Sequence, residues 1–385
     1  MEKNVVIAGY ARSPFTFAHK GEMVKLRPDE MAAQVVRGLI ERSGIDPKDV
    51  EDLIVGCAFP EGEQGLNVAR LIGFLAELPI SVAGTTVNRF CGSSMQAIHM
   101  AAGNIQMNAG EAFICAGIES MSRVPMAGFN PLLHPGLAER FPAAYISMGE
   151  TAENVAEQYN ISREDQDLFA FRSQQKTARA QQEGVFAEEI VPVSIPRRKQ
   201  DPLVFDTDEH PRASTLEKLA ALPAPFRENG SVTAGNASGV NDGAAAMLVA
   251  SEAAVKQHGL KPMAKILGMA TAGVEPRIMG IGPVPAVQKL LKKQGISLND
   301  IDVIELNEAF AAQGLAVLRE LGIADDDPRV NPNGGAIALG HPLGMSGARL
   351  LQTAAHQLQR TGGRYALCTM CVGVGQGIAT LIERV

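Results

Sequence analysis

A cysteine between a strand-like and a helix-like segment is the first group in this sequence with the setting of a nucleophile. Residues 85–87 form a β-prone run, and Cys91 follows in an abrupt Cys-Gly-Ser-Ser turn. Apolar residues at helical spacing then predict a helix. Its apolar face carries Met95, Ile98, Ala102 and Ile105. At a helix N-terminus, unpaired N–H groups and the helix dipole can lower the pKa of a thiol toward neutrality and favour the thiolate. The alternative is a small buried cysteine in a turn.

A histidine near the end of the chain has an equally unusual setting. His341 stands between glycines and is followed by Pro342, so it is expected in a rigid turn that approaches something closely. The other six histidines have the settings of surface, turn or helix residues. The glycine-rich run around His341 lacks the Lys-Ser/Thr ending of a phosphate-binding loop, which excludes that interpretation.

Two further candidates lie in the same part of the chain. Cys371 follows Cys368 with the spacing of a redox or zinc pair, but no second ligand pair exists, so we predict no metal site. Asn307, with Glu308 beside it, ends an apolar strand-like run. The alternative for this polar pair is a helix cap.

Two thiols, an imidazole and a carboxamide, all at expected strand ends or turns, have a specific chemical use if they converge. One thiol becomes acylated, the imidazole activates it, and the second thiol moves a proton. This combination suits the making or breaking of a carbon–carbon bond next to a thioester.

The elements that position these residues repeat within the chain. Residues 295–307 repeat the pattern of residues 44–56, and Val330-Asn331 repeats Val87-Asn88. Such a long period indicates duplication of a βα unit of more than a hundred residues. The segment 121–240 differs in composition, and we predict an insertion laid over one half that carries binding contacts.

Composition limits the class of protein. The chain has 385 residues, 46% hydrophobic and 20% charged residues, and a net charge of −7, so it is a folded protein and not a nucleic-acid binder. Five cysteines do not make a disulfide framework and suggest a reducing compartment. We expect no signal peptide, no membrane segment and a cytoplasmic location.

With these residues in place, the whole chain resembles the thiolase family. The matching motifs are Val87–Ala97, Gly235–Gly243, Asn307–Phe310, Gly340–Pro342 and Cys371–Gly373. The resemblance implies an α/β fold with five layers, αβαβα, built from duplicated βα halves and an inserted loop domain. The expected domains are an N-terminal half (1–120 plus 241–262), a CoA-binding loop domain (121–240) and a C-terminal half (263–385).

The resemblance also implies an acyltransferase with a ping-pong mechanism and a role for each candidate. Cys91 would attack the 3-oxo carbon of a 3-oxoacyl-CoA and hold the acyl group, activated by His341. Cys371 would protonate the departing enolate and then deprotonate CoA. Asn307 would hold a water that forms an oxyanion site with His341. The N–H groups of Cys91 and Gly373 would form a second oxyanion site.

Substrate binding is assigned by the same resemblance. Ser238 matches the position that contacts the pantetheine arm, and Arg212 lies near, one residue from, the arginine that stacks on adenine. Met148 and Phe310 are also expected at the CoA or substrate site. Coenzyme A is a co-substrate, and no permanently bound cofactor is expected. The implied partners are a second copy in a homodimer or homotetramer, and a hydratase/3-hydroxyacyl-CoA dehydrogenase subunit.

Residues 56–70 resemble the degradative branch, the 3-ketoacyl-CoA thiolases of fatty acid β-oxidation. Ser147 stands where acetoacetyl-CoA thiolases have a histidine, and Met345 stands where a smaller residue is usual, which affects the expected pocket shape. The alternatives are an acetoacetyl-CoA thiolase, a ketosynthase-like condensing enzyme, a cysteine hydrolase and an inactive thiolase-like lipid-binding protein. A ketosynthase would use two histidines, and the inactive protein would lack one of Cys91, His341 and Cys371.

Overall fold

The computed structural model describes residues 3–385. The strands in chain order are β1 (Val5–Arg12), β2 (Thr16–Phe17), β3 (Asp52–Cys57), β4 (Ala83–Val87), β5 (Ala112–Ser120), β6 (Val193–Ile195), β7 (Leu203–Phe205), β8 (Asn241–Ser251), β9 (Ala264–Gly273), β10 (Val303–Leu306), β11 (Tyr365–Val372) and β12 (Gln376–Arg384).

Helices alternate with most of these strands. In chain order they are α1 (Pro28–Ser43), α2 (Val68–Leu75), α3 (Ser93–Gln106), α4 (Pro135–Arg140), α5 (Met148–Gln158), α6 (Arg163–Gln182), α7 (Leu216–Ala220), α8 (Glu252–Gln257), α9 (Pro283–Gln294), α10 (Ala311–Glu320), α11 (Ala336–Leu339) and α12 (Ser346–Thr361). Within residues 3–385, no helix has both the length and the apolar character that a membrane crossing requires.

The two halves of the chain have matching strand orders. In the first half the order is β1-β8-β5-β3-β4, and β3 is parallel to both β4 and β5. In the second half the order is β9-β12-β11-β10, with β10 parallel to β11. Val330 forms an isolated parallel bridge with Ile304 of β10, where the first half has β4 beside β3. The predicted duplication is therefore confirmed.

The sheets of the two halves are joined edge to edge. Strands β1 and β9 pair antiparallel at Val6 with Lys265 and at Ile7 with Ala264, which makes one ten-stranded sheet. Helices α3 and α12 pack together in a central core that also contains one face of β5, β8, β11 and β12. Helices α1 and α2 cover the outer face of the first half, and α9 and α10 that of the second. This is the predicted five-layer arrangement.

Helix α3 shows how the sequence pattern produces this core. The four predicted face residues are all buried between the sheets. Each large apolar side chain among them stabilises the fold by about 1.5–3 kcal/mol relative to exposure. Strand β3 passes directly beneath the start of α3, because a Cβ on Gly56 would lie 2.3 Å from the backbone nitrogen of Ser94. Glycine therefore lets the helix that follows Cys91 approach the sheet.

The segment 121–240 contacts both halves, so the prediction that it covers only one is wrong. Val193 and Ile195 of β6 belong to the outer core of the first half. Val155 of α5 and Phe169 of α6 belong to that of the second. Helix α6 begins at a serine cap, with Ser162 Oγ accepting a hydrogen bond from Asp165 N (3.0 Å). The segment therefore buries apolar residues against each half of the molecule.

Candidate active site

Cys91 lies in a one-turn 3₁₀ helix, Phe90–Gly92, between β4 and α3. Phe90 has a left-handed backbone (φ 42°), which is costly for a bulky residue and is typical of constrained functional turns. Local side chains hold the turn, since Asn88 Oδ1 accepts the Phe90 N–H (2.8 Å) and Ser93 Oγ donates to the Phe90 carbonyl (2.6 Å). Cys91 is thus at the predicted strand-to-helix elbow.

Backbone N–H groups from both halves converge on the Cys91 sulfur. The N–H groups of Cys91 itself and of Gly373 both act to lower the pKa of this thiol. Gly373 begins the tight turn between β11 and β12, where Val374 (φ 62°) and Gly375 (φ 77°) are left-handed. A pair of N–H groups with this orientation can also stabilise negative charge on an oxygen bonded to a carbon attached to that sulfur.

The thiol of Cys91 does not have a lowered pKa. Burial, and to a smaller extent the carboxylate of Glu119, raise the pKa of Cys91 to about 12. The two N–H groups oppose this shift. The sequence-based expectation of a pKa near neutrality is therefore wrong for this site. Desolvation of the thiolate outweighs the helix N-terminus. At neutral pH the sulfur is protonated, and it needs a neighbouring base to become nucleophilic.

His341 has the protonation state of such a base. Ser346 Oγ donates a hydrogen bond to the Pro342 carbonyl (2.8 Å), so it must accept from His341 Nδ1 (2.6 Å). The proton therefore resides on Nδ1, and Nε2 is the unprotonated nitrogen. Burial, and to a smaller extent the positive charge of Arg349, lower the pKa of His341 to about 3. The imidazole is neutral and able to accept a proton.

The backbone of this histidine is fixed from the other half of the chain. The His341 N–H donates to Asn241 Oδ1 at the start of β8 (2.9 Å). Gly340 is left-handed (φ 110°), and a Cβ there would lie 2.7 Å from the Asn241 side chain, so the turn requires glycine. Asn241 was part of a recognised motif in the sequence, but its contact with His341 was not predicted.

Asn307 contacts the same imidazole. Its Nδ2 lies 3.3 Å from His341 Nε2, and its Oδ1 is buried without a hydrogen-bond partner among residues 3–385. Helix α10 begins only at Ala311. The helix-cap alternative is therefore wrong for Asn307. Its neighbour Glu308 also has a different use, since its carboxylate accepts from Asn331 Nδ2 (2.9 Å) and Ser173 Oγ (2.6 Å).

Cys371 lies beside Cys91 in a small apolar cluster. Burial raises the pKa of the Cys371 thiol above its ordinary value, and its interaction with Cys91 raises it further. The cluster consists of Cys371, Met279 and Ala309, with Met148 and Phe310 packed against it. We call it the Cys371 cluster. Two of the residues predicted to bind substrate, Met148 and Phe310, are therefore brought to the second thiol.

Ser238 and Arg212, the remaining residues predicted to bind substrate, lie outside the Cys371 cluster. Ser238 is half-buried, and its N–H donates to the carbonyl of Ala309 in the Cys371 cluster (2.9 Å). Arg212 is exposed, and its Nη2 donates to the Ala234 carbonyl (3.3 Å). Cys368 is in the central core, on the other face of β11. In residues 3–385, no group of three or more His, Cys, Asp or Glu is arranged to hold a metal ion.

Ser147 and Met345, which were expected to affect the pocket shape, both lie outside the Cys371 cluster. Ser147 is exposed and caps α5, with its Oγ accepting from Glu150 N (3.4 Å). Met345 is fully buried in the central core and not in the Cys371 cluster. Sequence reasoning also missed Ser346, the first residue of α12, and Met279, for which the sequence carried no signal.

Comparison with known proteins agrees with this fold and site. The family model described as "Thiolase, N-terminal domain" matches residues 5–253, and "Thiolase, C-terminal domain" matches residues 260–384. Together they cover nearly the whole chain. The chain belongs to the thiolase family, whose members are acyltransferases.

Relatives within the family differ in their named substrates. The chain is 54% identical to the beta-ketoadipyl-CoA thiolase of Acinetobacter baylyi and 46% identical to the 3-ketoacyl-CoA thiolase of Bacillus subtilis, each over 100% of both chains. The crystal structure of Bacillus anthracis acetyl-CoA acetyltransferase superposes with a TM-score of 0.92 at 43% identity, covering 100% of this chain and 99% of that one. The choice among these substrates is argued below.

Proposed function

We propose that this protein cleaves 3-oxoacyl-CoA with coenzyme A to give acetyl-CoA and an acyl-CoA two carbons shorter. The observation that carries the proposal is that two backbone N–H groups and a second buried thiol act on Cys91, while the adjoining turn carries a neutral histidine. A hydrolase would need only one thiol. A ketosynthase-like enzyme would use a second histidine where this chain has Cys371.

In the first half-reaction, His341 Nε2 takes the Cys91 proton as the sulfur attacks the 3-oxo carbon. The N–H groups of Cys91 and Gly373 stabilise the oxyanion that forms there. The bond between C2 and C3 then breaks, and its electron pair stays on C2 as the enolate of acetyl-CoA. Cys371 gives its proton to C2, and the Asn307 amide lies at the same edge of His341. Acetyl-CoA leaves, and the acyl group stays on Cys91.

In the second half-reaction, the Cys371 thiolate takes the proton of an incoming CoA thiol. The CoA sulfur attacks the acyl carbon, and the Cys91 sulfur leaves and recovers its proton from His341. Every proton is thereby returned to its starting group. No permanently bound cofactor is needed for these steps, and CoA enters as a co-substrate held by the segment that carries Ser238 and Arg212.

We propose an uncharged acyl tail, as in fatty acid β-oxidation. The residues packed against the second thiol are methionine, alanine and phenylalanine, which favour a hydrocarbon chain. Each buried methylene contributes up to about 0.8 kcal/mol. The carboxylate of Glu119 interacts electrostatically with Cys91. Its negative charge would repel the terminal carboxylate of a dicarboxylic substrate.

The second candidate substrate is a dicarboxylic 3-oxoacyl-CoA. The 54% identity to a beta-ketoadipyl-CoA thiolase supports it, although that alignment spans 404 positions against the 385 residues of this chain, so the relative has residues that this chain lacks. A third candidate is acetoacetyl-CoA, the substrate class suggested by the acetyltransferase structure.

One matched pair of substrates separates the first two candidates. 3-Oxohexanoyl-CoA and 3-oxoadipyl-CoA have the same chain length and differ by a terminal carboxylate. We expect kcat/KM to favour 3-oxohexanoyl-CoA and to be at least as high for eight and ten carbons. A preference for 3-oxoadipyl-CoA would support the second candidate, and a maximum at acetoacetyl-CoA the third. Absence of thiolysis with every substrate would leave the inactive lipid-binding protein.

We further propose a homodimer or homotetramer in the cytoplasm. Strand β4 is at an edge of the sheet, with its outer side unpaired, and open edges favour pairing with another strand. The neighbouring segment exposes large apolar side chains: Leu66, Leu71, Phe74, Leu75 and Ile80. We call this set the α2 patch. A hydratase/3-hydroxyacyl-CoA dehydrogenase subunit is a further proposed partner. The domain boundaries at 120, 240 and 262 remain predictions.

A further inference from the structure

Glu119 is a buried carboxylate that the proposed reaction steps do not use. It lies near the end of β5 and is 1% exposed. Among residues 3–385, no basic side chain forms an ion pair with it. Burying a carboxylate without a counter-charge is costly unless hydrogen-bond donors surround it. Its retention beside the active site therefore needs an explanation.

Donors from both halves of the molecule surround this carboxylate. From the first half, Ala58 N donates to Oε2 (2.8 Å), Gln64 Nε2 to Oε1 (2.8 Å) and Phe59 N to Oε1 (3.4 Å). From the second half, Gly344 N donates to Oε2 (2.9 Å). Glu119 therefore connects the loop after β3 to the turn that carries His341.

Two neutral side chains hold the same turn. Asn241 Oδ1 accepts the His341 N–H (2.9 Å), and Ser94 Oγ accepts the Ala348 N–H (2.9 Å). Glu119 binds the segment between these two contacts and is the charged member of the three. The histidine belongs to the second half of the chain and the nucleophile to the first, so these contacts determine the distance between base and thiol.

We propose that ionised Glu119 is a positioning residue that holds the His341 turn against the Cys91 turn. The inference rests on the proposed thiolysis, in which His341 takes the Cys91 proton. It adds a requirement for a group that touches neither substrate nor the reacting atoms.

Ionisation matters because every hydrogen-bond partner of this carboxylate is a donor. A protonated Glu119 would direct its own O–H at one of these donors, and its neutral oxygens would accept the remaining hydrogen bonds, including that of Gly344, more weakly. Burial raises the pKa of Glu119 to about 6, and the N–H donors oppose the shift. As pH falls through that value the positioning contact is lost, so activity should fall on the acid side.

Other ionisable groups near Glu119 have pKa values shifted by burial. Cys57 on β3 and Cys91 in the nucleophile turn both have pKa values raised by burial, and His341 has a pKa lowered to about 3. On the neighbouring strand β8, Asp242 bonds to Ser122 instead, and burial raises its pKa. Substitution of Glu119 distinguishes its titration from that of Asp242.

The test is the pH profile of kcat/KM for the variant Glu119→Gln, with Ser94→Ala as the matched control. We expect Glu119→Gln to lower kcat by about 10-fold to 100-fold, because small displacements of a catalytic group have such effects. KM for CoA should stay within about twofold of the value for the unmodified protein, because Glu119 does not bind substrate. The acid limb near pH 6 should disappear. Ser94→Ala removes a neutral anchor of the same turn and should keep the acid limb.

A second variant keeps the inference testable if Glu119→Gln does not fold. Gln64→Met removes one donor but leaves the carboxylate, which raises its pKa further, so the acid limb should move to higher pH. An unchanged limb in Gln64→Met, or unchanged kcat and profile in Glu119→Gln, would overturn the inference. Loss of thiolysis in the unmodified protein would instead refute the proposed function, so the two failures are distinguishable.

Discussion

At the scale of single residues, burial determines which groups of the site are ionised. Burial raises the pKa of both Cys91 and Cys371, so neither thiol is ionised at rest. Burial also keeps His341 neutral, and its contact with Ser346 leaves Nε2 free to accept a proton. The low-dielectric surroundings that keep the thiols protonated therefore also keep the imidazole neutral, so that it can accept a proton. Proton transfer among neighbours replaces a permanently charged nucleophile.

The role of Cys371 leads to a prediction about proton exchange. In the proposed mechanism Cys371 exchanges a proton with C2 of acetyl-CoA, so Cys371→Ser should lose exchange of the acetyl methyl protons with deuterated water, measured by NMR. Turnover should fall by about 10²–10⁴-fold, the usual contribution of a general acid–base group. Cys368→Ser, on the opposite face of β11, should keep the exchange. Exchange that persists in Cys371→Ser would assign the role to another group, such as His341.

The contact between Ser346 and His341 can be tested in the same way. Ser346→Ala removes the acceptor that keeps the proton on Nδ1, so part of the population carries it on Nε2 and is not basic there. We expect kcat to fall by about 10-fold to 100-fold. The control Thr353→Val removes another buried hydroxyl of α12, one that donates to Glu189 (2.8 Å), and should have a small effect on kcat. Equal effects of the two substitutions would contradict a specific role for Ser346.

At the scale of elements, the decisive feature is how closely α3 approaches β3. The Cys91 turn is correct only if the start of α3 sits directly on the sheet, and Gly56 allows this contact. The turn between β11 and β12 brings Gly373 to the same sulfur from the other half. The nucleophile and its N–H pair are therefore products of helix and turn placement, not of flexible loops.

Two glycines in this region should respond in opposite ways to alanine. Gly56→Ala places a methyl group 2.3 Å from a backbone nitrogen, and overpacking of this kind destabilises by about 1–3 kcal/mol. It should also lower activity by shifting Cys91. Gly103→Ala, within α3, meets nothing within 4 Å and should stabilise by about 0.5–1 kcal/mol. Thermal unfolding and kcat measure both effects. A neutral Gly56→Ala would show that α3 can move without consequence.

Much of this element structure is predictable from the sequence. The apolar spacing of α3 and the repeated segments are visible in the sequence, and both predictions are confirmed. The contacts of Asn241 and Glu119 are not predictable in this way, because their partners are far away in sequence. The pKa of Cys91 was predicted in the wrong direction for a related reason, since desolvation depends on the complete packing around the sulfur.

At the scale of the whole molecule, duplication provides a site shared between two similar halves. The first half contributes Cys91 and the second contributes His341, Cys371 and Gly373. Asn241, Ser94 and Glu119 of the first half bind the turn of the second. The inserted segment contacts both halves and brings Met148 and Ser238 to the site. A displacement of one half relative to the other would therefore separate base from nucleophile.

The α2 patch provides a test of assembly. Ile80 is 79% exposed in this patch, and Ile80→Asp should shift the mass measured by light scattering toward a monomer, because a buried unpaired charge opposes association. Met107→Asp is the control, since Met107 is 80% exposed at the far end of α3. A monomeric unmodified protein, or an assembly that Ile80→Asp leaves intact, would contradict the proposed interface.

The identity of the acylated residue is the most direct test of the mechanism. The protein is incubated with 3-oxooctanoyl-CoA without free CoA, digested and examined by mass spectrometry. We expect a six-carbon acyl group on the peptide that contains Cys91, with acetyl-CoA released in equal amount. Cys91→Ala should carry no label and should lose turnover by about 10⁴-fold or more, as expected when a covalent nucleophile is removed. An acyl group on Cys371 or Cys368, or cleavage with no acylated peptide, would contradict the mechanism.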